Sequence, residues 1–153
     1  MEEKNENKIF LRRATMDDAK DLLRWRNDED SRANSFSKEV IDLETHMKWF
    51  ERKLSDPGCY LFILMDEGEK VGNIRVDVKD DVGEISYMIA PGMRGRGYGK
   101  KIIALVEKEM PPEVKTLVGL TLKDNKASGR CFIANGYTAS DAEDALCYSK
   151  GIN

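Results

Sequence analysis

The chain has 153 residues, 41% hydrophobic and 35% charged, the size and mixture of one folded domain rather than a disordered segment. Its 25 basic residues nearly balance 28 acidic ones, for a net charge of -3, which argues against a nucleic-acid or membrane-surface binder. No run approaches the roughly 20 apolar residues that cross a bilayer, and Met1–Lys8 lacks a secretory core, so the expectation is a cytoplasmic protein with a polar tail over 1–7 and one domain over 8–150.

Lys8–Arg13 reads as a short first strand. Thr15 caps a helix that carries Asp18 in its first turn, where the helix dipole favours negative charge, and runs to about Asn27. Asp28–Lys38 is polar and reads as a loop. Leu43, Met47, Phe50 and Leu54 then form one stripe of a second helix that stops at Asp56-Pro57-Gly58. The continuous apolar run Cys59–Met65 is a strand covered on both faces. A turn at Asp66–Glu69 leads into Val71–Val78, where Ile74, Val76 and Val78 alternate with Arg75 and Asp77. A turn at Asp80-Asp81 precedes a further strand, Val82–Ala90, closed by Pro91-Gly92. Ile102, Leu105, Val106 and Met110 define a third helix, ended by Pro111-Pro112. Thr116–Leu122 is the fifth strand, Asn125–Asn135 a fourth helix with Gly136 as its stop, and 137–150 a short pair of strands. The fold class is mixed α/β, one sheet with about four helices packed on it.

Cys59, Cys131 and Cys147 are too few and too scattered for a disulfide framework or a zinc ribbon. His46 is the single histidine, so sites built on two or three histidines are excluded and no metal is expected. A Ser-His-Asp hydrolase lacks its Gly-x-Ser-x-Gly elbow.

The informative segment is Arg94-Gly95-Arg96-Gly97-Tyr98-Gly99-Lys100, between a strand and a helix. Main-chain N–H groups at such a junction hold an anion, the glycines allow close approach, and Arg94, Arg96, Lys100 and Lys101 add positive charge. A pyrophosphate suits it. The glycine spacing is not the Gly-x-Gly-x-x-Gly of a dinucleotide fold, and Gly99-Lys100 is followed by Lys101 rather than the Ser or Thr of a P-loop.

The segment resembles the acetyl-CoA loop of the GNAT N-acetyltransferase superfamily, Arg/Gln-x-x-Gly-x-Gly/Ala, which Arg94 to Gly99 matches in full. The preceding strand, Gly83–Pro91, and the helix Asn125-Lys-Ala-Ser-Gly-Arg-Cys-Phe-Ile-Ala-Asn-Gly-Tyr137 are similar to the family's fourth strand and its Asn-x-x-Ala/Ser…Gly-Phe helix, in the same order. The resemblance implies the GNAT fold, a mostly antiparallel sheet whose fourth and fifth strands splay. It implies acetyl-CoA as co-substrate, held by Arg94–Lys100, by main-chain groups near Met88, Ile89 and Ala90, and by Asn125 and Ser128. Met88 is the expected main-chain donor to the thioester carbonyl. The acceptor amine then attacks without a covalent enzyme intermediate.

Phe132 stands where many members have a tyrosine that protonates the thiolate. Water, Ser128, Tyr87, Tyr98 and Tyr137 are the other donors available, and on this reading Phe132→Tyr leaves activity intact or raises it. A non-catalytic acyl-CoA-binding module is the alternative that this position keeps open. Glu84, at the start of the strand, is the candidate base; His46 is the other group considered.

In this fold the acceptor meets the first two helices, which nominates Trp25, Arg26, Asn27, His46 and Trp49. The Trp-Arg-Asn and His-x-x-Trp-Phe runs look like a branch acetylating amino sugars on nucleotide carriers. The same group includes enzymes that acetylate ribosomal-protein N-termini. The expected partner is a small-molecule amine, with the protein a monomer or homodimer.

Overall fold

A computed structural model describes residues 8–153; the tail read over 1–7 lies outside the described residues. Strand β1 (Ile9–Arg13) leads through a 3-10 turn (Met16–Asp18) into helix α1 (Ala19–Arg26), a short helix α2 (Glu29–Ala33) and helix α3 (Leu43–Ser55). A meander of β2 (Cys59–Asp66), β3 (Glu69–Lys79) and β4 (Val82–Ile89) follows. Then come helix α4 (Tyr98–Glu109), β5 (Thr116–Thr121), helix α5 (Lys126–Ala134), β6 (Thr138–Ala142) and β7 (Ala145–Gly151).

The seven strands form one sheet in the order β1-β2-β3-β4-β5-β7-β6. Every neighbouring pair is antiparallel except β4–β5. The two hairpin turns of the meander fall where the sequence placed them, with Glu67-Gly68 and Asp80 in the left-handed region. One apolar layer packs α4 and α5 on the sheet through Ile74, Val76, Ile85, Ile102, Val106, Leu117 and Phe132. The opposite layer joins α1 and α3 to it through Leu22, Trp25, Phe50, Leu61, Ile63 and Ala90. Alternation along each strand sends successive side chains to these two layers.

The stretch read as a loop over 28–38 contains α2, whose N-cap is Asp28, its carboxylate accepting from the amides of Asp30 and Ser31. An N-cap aspartate followed by Glu29 and Asp30 is a helix-start pattern that satisfies orphan donors and the dipole together.

Candidate active site

Parallel pairing of β4 and β5 covers only Val82–Ile85 against Thr116–Gly119. Past that point β4 continues to Ile89 paired with β3 alone, as far as Gly72. The two strands therefore part in mid-sheet, and one edge of β4 is left without a partner strand among the described residues.

Strand alternation decides which main-chain groups line this opening. The Ala90 N–H donates to the Val71 carbonyl at 2.9 Å, so Ala90 faces the β3 side. Met88, two residues earlier and opposite Asn73, faces the same way. On the β5 side, the Asp81 carbonyl accepts from the Lys115 and Thr116 amides, which puts 81, 83, 85, 87 and 89 on that edge. The amides turned to the opening are those of Tyr87 and Ile89. Met88, the expected donor, directs its amide into the β3–β4 ladder, and Ala90 has spent its own on Val71.

The opening leads up to the glycine-rich loop. From Arg94 to Lys100 no backbone N–H has a backbone acceptor among the described residues; Lys101, bonded to the Gly97 carbonyl at 3.2 Å, is the first. Gly97 is the N-cap of α4 with φ +84° and Gly95 has φ +79°, both in the left-handed region where a Cβ is strained, and open space surrounds each. Arg96, Lys100 and Lys101 are exposed around these donors. Tyr98 donates its hydroxyl to the Asp66 carboxylate and so ties the first turn of α4 to the end of β2. Main-chain donors, helix dipole and flanking charge together suit this cradle to an anion.

Arg94 behaves differently from the sequence reading. Its guanidinium donates to Ser31 Oγ at 2.8 Å and to Asp28 Oδ2 at 3.3 Å, with Asp30 at 3.5 Å. Two carboxylates offset its charge, and its side chain tethers the loop to α2.

On the far flank, Asn125 caps α5, its Oδ1 accepting from the Ser128 amide at 3.3 Å. Ser128 Oγ lies 2.8 Å from the Tyr87 hydroxyl. Phe132 is 2% exposed, stacked on Tyr148 and edge-on to Tyr87 and Tyr137. Tyr87 and Ser128 are separate candidate donors in the sequence; their contact depends on strand register and helix placement and has no local signature.

Most nominated acceptor residues turn out to hold the protein together. Trp25 is 4% exposed in the α1–α3 layer. His46 is equally buried and its Nε2–H donates to the Ala19 carbonyl at 2.8 Å; burial lowers its pKa, and the bond to Ala19 opposes this only in part. A buried imidazole committed to a helix carbonyl is a poor base and does not reach an acceptor. Asn27 uses both ends of its carboxamide on Ile41, donating to its carbonyl and accepting from its amide, each at 2.8 Å. Arg26 donates to the Ser37 carbonyl at 2.9 Å; its Nη1 is buried with no partner among the described residues, and burial with nearby Arg32 lowers its pKa. Trp49 is half-buried beneath the Arg75 guanidinium, 5.0 Å from the ring centre.

Glu84 is exposed and lies in the part of β4 still paired with β5, opposite Asp77 on β3. It is four residues from Met88, roughly 13 Å along the strand.

Comparison with known proteins agrees with this geometry. The chain is 26% identical over 123 residues to the uncharacterized N-acetyltransferase YfmK of Bacillus subtilis (strain 168), covering 80% of each. Its fold superimposes on spermidine N-acetyltransferase from Vibrio cholerae, in complex with CoA and spermine, with a TM-score of 0.86 at 12% identity over 95% of this chain and 96% of that one. AAC(6')-Ib in complex with ribostamycin and coenzyme A gives 0.82 at 19% identity, over 95% and 94% of the two chains. The model of the acetyltransferase (GNAT) domain matches residues 8–138, and the chain belongs to that family.

Proposed function

We propose that this acetyltransferase moves an acetyl group from acetyl-CoA to the primary amine of a small molecule by direct attack. The observation that carries the reading is the unpaired edge of β4 running up to a loop whose consecutive N–H groups are unspent. The loop Gly95–Lys100 holds the pyrophosphate. The pantetheine arm pairs with the open edge as a short extra strand. The amide of Tyr87 or Ile89, rather than that of Met88, donates to the thioester carbonyl as negative charge grows there. As the amine nitrogen bonds to the carbonyl carbon, the carbon–sulfur bond breaks and its electron pair leaves on sulfur. The amine's surplus proton leaves through water, toward Glu84 at the outer end of the strand.

A small amine is supported by the compounds named with the structural relatives, spermine and ribostamycin. A nucleotide-linked amino sugar remains one member of that class. The Trp-Arg-Asn and His-x-x-Trp-Phe runs no longer favour it, because Trp25, Asn27 and His46 serve internal contacts.

The test is release of free CoA from acetyl-CoA across polyamines, aminoglycosides, nucleotide-linked amino sugars and N-terminal peptides, beside calorimetry of CoA. CoA should bind the wild type and fail to bind Gly97→Asp, which sets a carboxylate among the phosphate donors. Unchanged affinity in that variant sinks the loop assignment. Binding without turnover on any amine favours the non-catalytic module.

A further inference from the structure

Acetyl transfer leaves a thiolate, and Phe132 has nothing to offer it. The chain has five tyrosines. Tyr98 is bonded to Asp66, Tyr137 and Tyr148 are buried at 3% and 5% exposure against Phe132, and Tyr60 lies beneath the Arg13 guanidinium. Tyr87 is placed differently. It stands on β4 two residues past the last pairing with β5, half-buried, on the strand edge that turns its amide to the opening.

Its hydroxyl reaches Ser128, one turn before Phe132 on the same face of α5. The Tyr87 ring rests edge-on to Phe132 with centroids 6.0 Å apart. The start of α4 closes over the pair: a Cβ on Gly99 would lie 3.5 Å from the Tyr87 hydroxyl and 2.8 Å from Cys131 Sγ. A hydroxyl pair thus sits beside the aromatic ring that lacks one, at the junction of the opening, the loop and α5.

We propose that Tyr87 is a catalytic residue, the hydrogen-bond donor to the departing CoA thiolate, with Ser128 Oγ–H donating to the Tyr87 oxygen in turn. The inference rests on the acetyltransfer reading. When the carbon–sulfur bond breaks, its electron pair resides on sulfur and Tyr87 shares its proton without giving it up. Solvent protonates the thiolate after release. Burial, followed by the neighbouring Cys131, raises the Tyr87 pKa above the ordinary phenol range, and the bond to Ser128 opposes them only in part. Such a group keeps its proton, as a donor of this kind must. The chain Ser128–Tyr87–sulfur strengthens each link through polarisation.

The experiment follows the thiol of bound CoA, using CoA carrying carbon-13 beside its sulfur and reading that methylene by NMR as pH is raised. The facing titratable group is Cys131 on α5, so wild type and variants are also compared in a Cys131→Ser background. In the wild type the bound thiol should ionise at lower pH than free CoA. Tyr87→Phe should raise its pKa by about one unit, equivalent to a tenfold loss of preference for the thiolate. Ser128→Ala should shift it the same way by less. Affinity for CoA at neutral pH should stay within about twofold, and kcat should fall about tenfold at unchanged KM for acetyl-CoA. An identical thiol titration in wild type and Tyr87→Phe, with CoA bound in both, overturns the assignment. A wild type that does not bind CoA overturns the acetyltransfer reading and this inference with it.

Discussion

The ring of Phe132 lies on the α-carbon of Gly119, its Cζ 2.3 Å from the point a β-carbon there would occupy. Helix α5 can settle this close to β5 because that strand position has no side chain. The para position of the ring therefore points at backbone and has no room for a hydroxyl. Phe132→Tyr, expected from sequence to restore a donor, should instead overpack the core and cost roughly 1–3 kcal/mol, with no gain in kcat. Gly119→Ala should be destabilised by a similar amount for the same reason. Urea denaturation of both variants measures this; a Phe132→Tyr protein of full stability and raised activity would show that the ring faces the opening.

Burial keeps His46 neutral in the folded state, with a pKa below its ordinary value. The unfolded chain then binds more protons than the folded one once pH drops below about 6.5. Stability should be level above neutrality and decline as pH falls through that value. His46→Gln should flatten that decline while leaving the pH–rate profile of acetyl transfer unchanged. A profile that lost its acidic limb in this variant would return the base role to His46.

Asp18 is 1% exposed and accepts two bonds from Arg12, one from the Thr15 amide and an ion pair from Lys70 at 2.7 Å. Burial opposes its ionisation, yet the bonds from Arg12, Lys70 and Thr15 prevail and hold its carboxyl well below the usual range. A depressed carboxylate gives stability above its unfolded pKa near 4, lost as pH falls toward the folded value. Asp18→Asn should cost about 3 kcal/mol at neutral pH by stranding two cations against a buried amide. The cost should shrink in acid, which chemical denaturation at neutral and acid pH will resolve.

In the proposed reaction Glu84 acts on the amine only through water, given its distance along β4. Glu84→Gln should lower kcat by less than about tenfold, with part of the loss recovered at higher pH, where more amine is already neutral. A loss independent of pH would assign Glu84 to the sheet alone, beside Asp77 and Arg75 of the neighbouring strand and the Lys53 of α3 that pairs with Asp77.

The order of elements, α2 excepted, and the glycine-rich turn into α4 were legible because both are written locally, in the 2.0 and 3.6 periods and in the spacing of Gly95, Gly97 and Gly99. Register is not local. Which amide lines the opening depends on how Val71 meets Ala90, a pairing of strands that the spacing within β4 does not reveal. Likewise Trp25 and His46 have the chemistry of ligand residues and the helical spacing of core residues, and only the facing layer decides between them. The Tyr87–Ser128 contact joins residues 41 positions apart in sequence, with no pattern in either segment to announce it.

The clasp between Asn27 and Ile41 closes a loop of 14 positions with one side chain, and the sheet takes no part in the closure. Everything between its ends, the short helix α2 included, is carried as a cassette between α1 and α3. The entropy of closing such a loop grows slowly, by about 0.6 kcal/mol for each doubling of length. Evolution can therefore lengthen, shorten or rewrite this segment while the strands of the sheet stay in register.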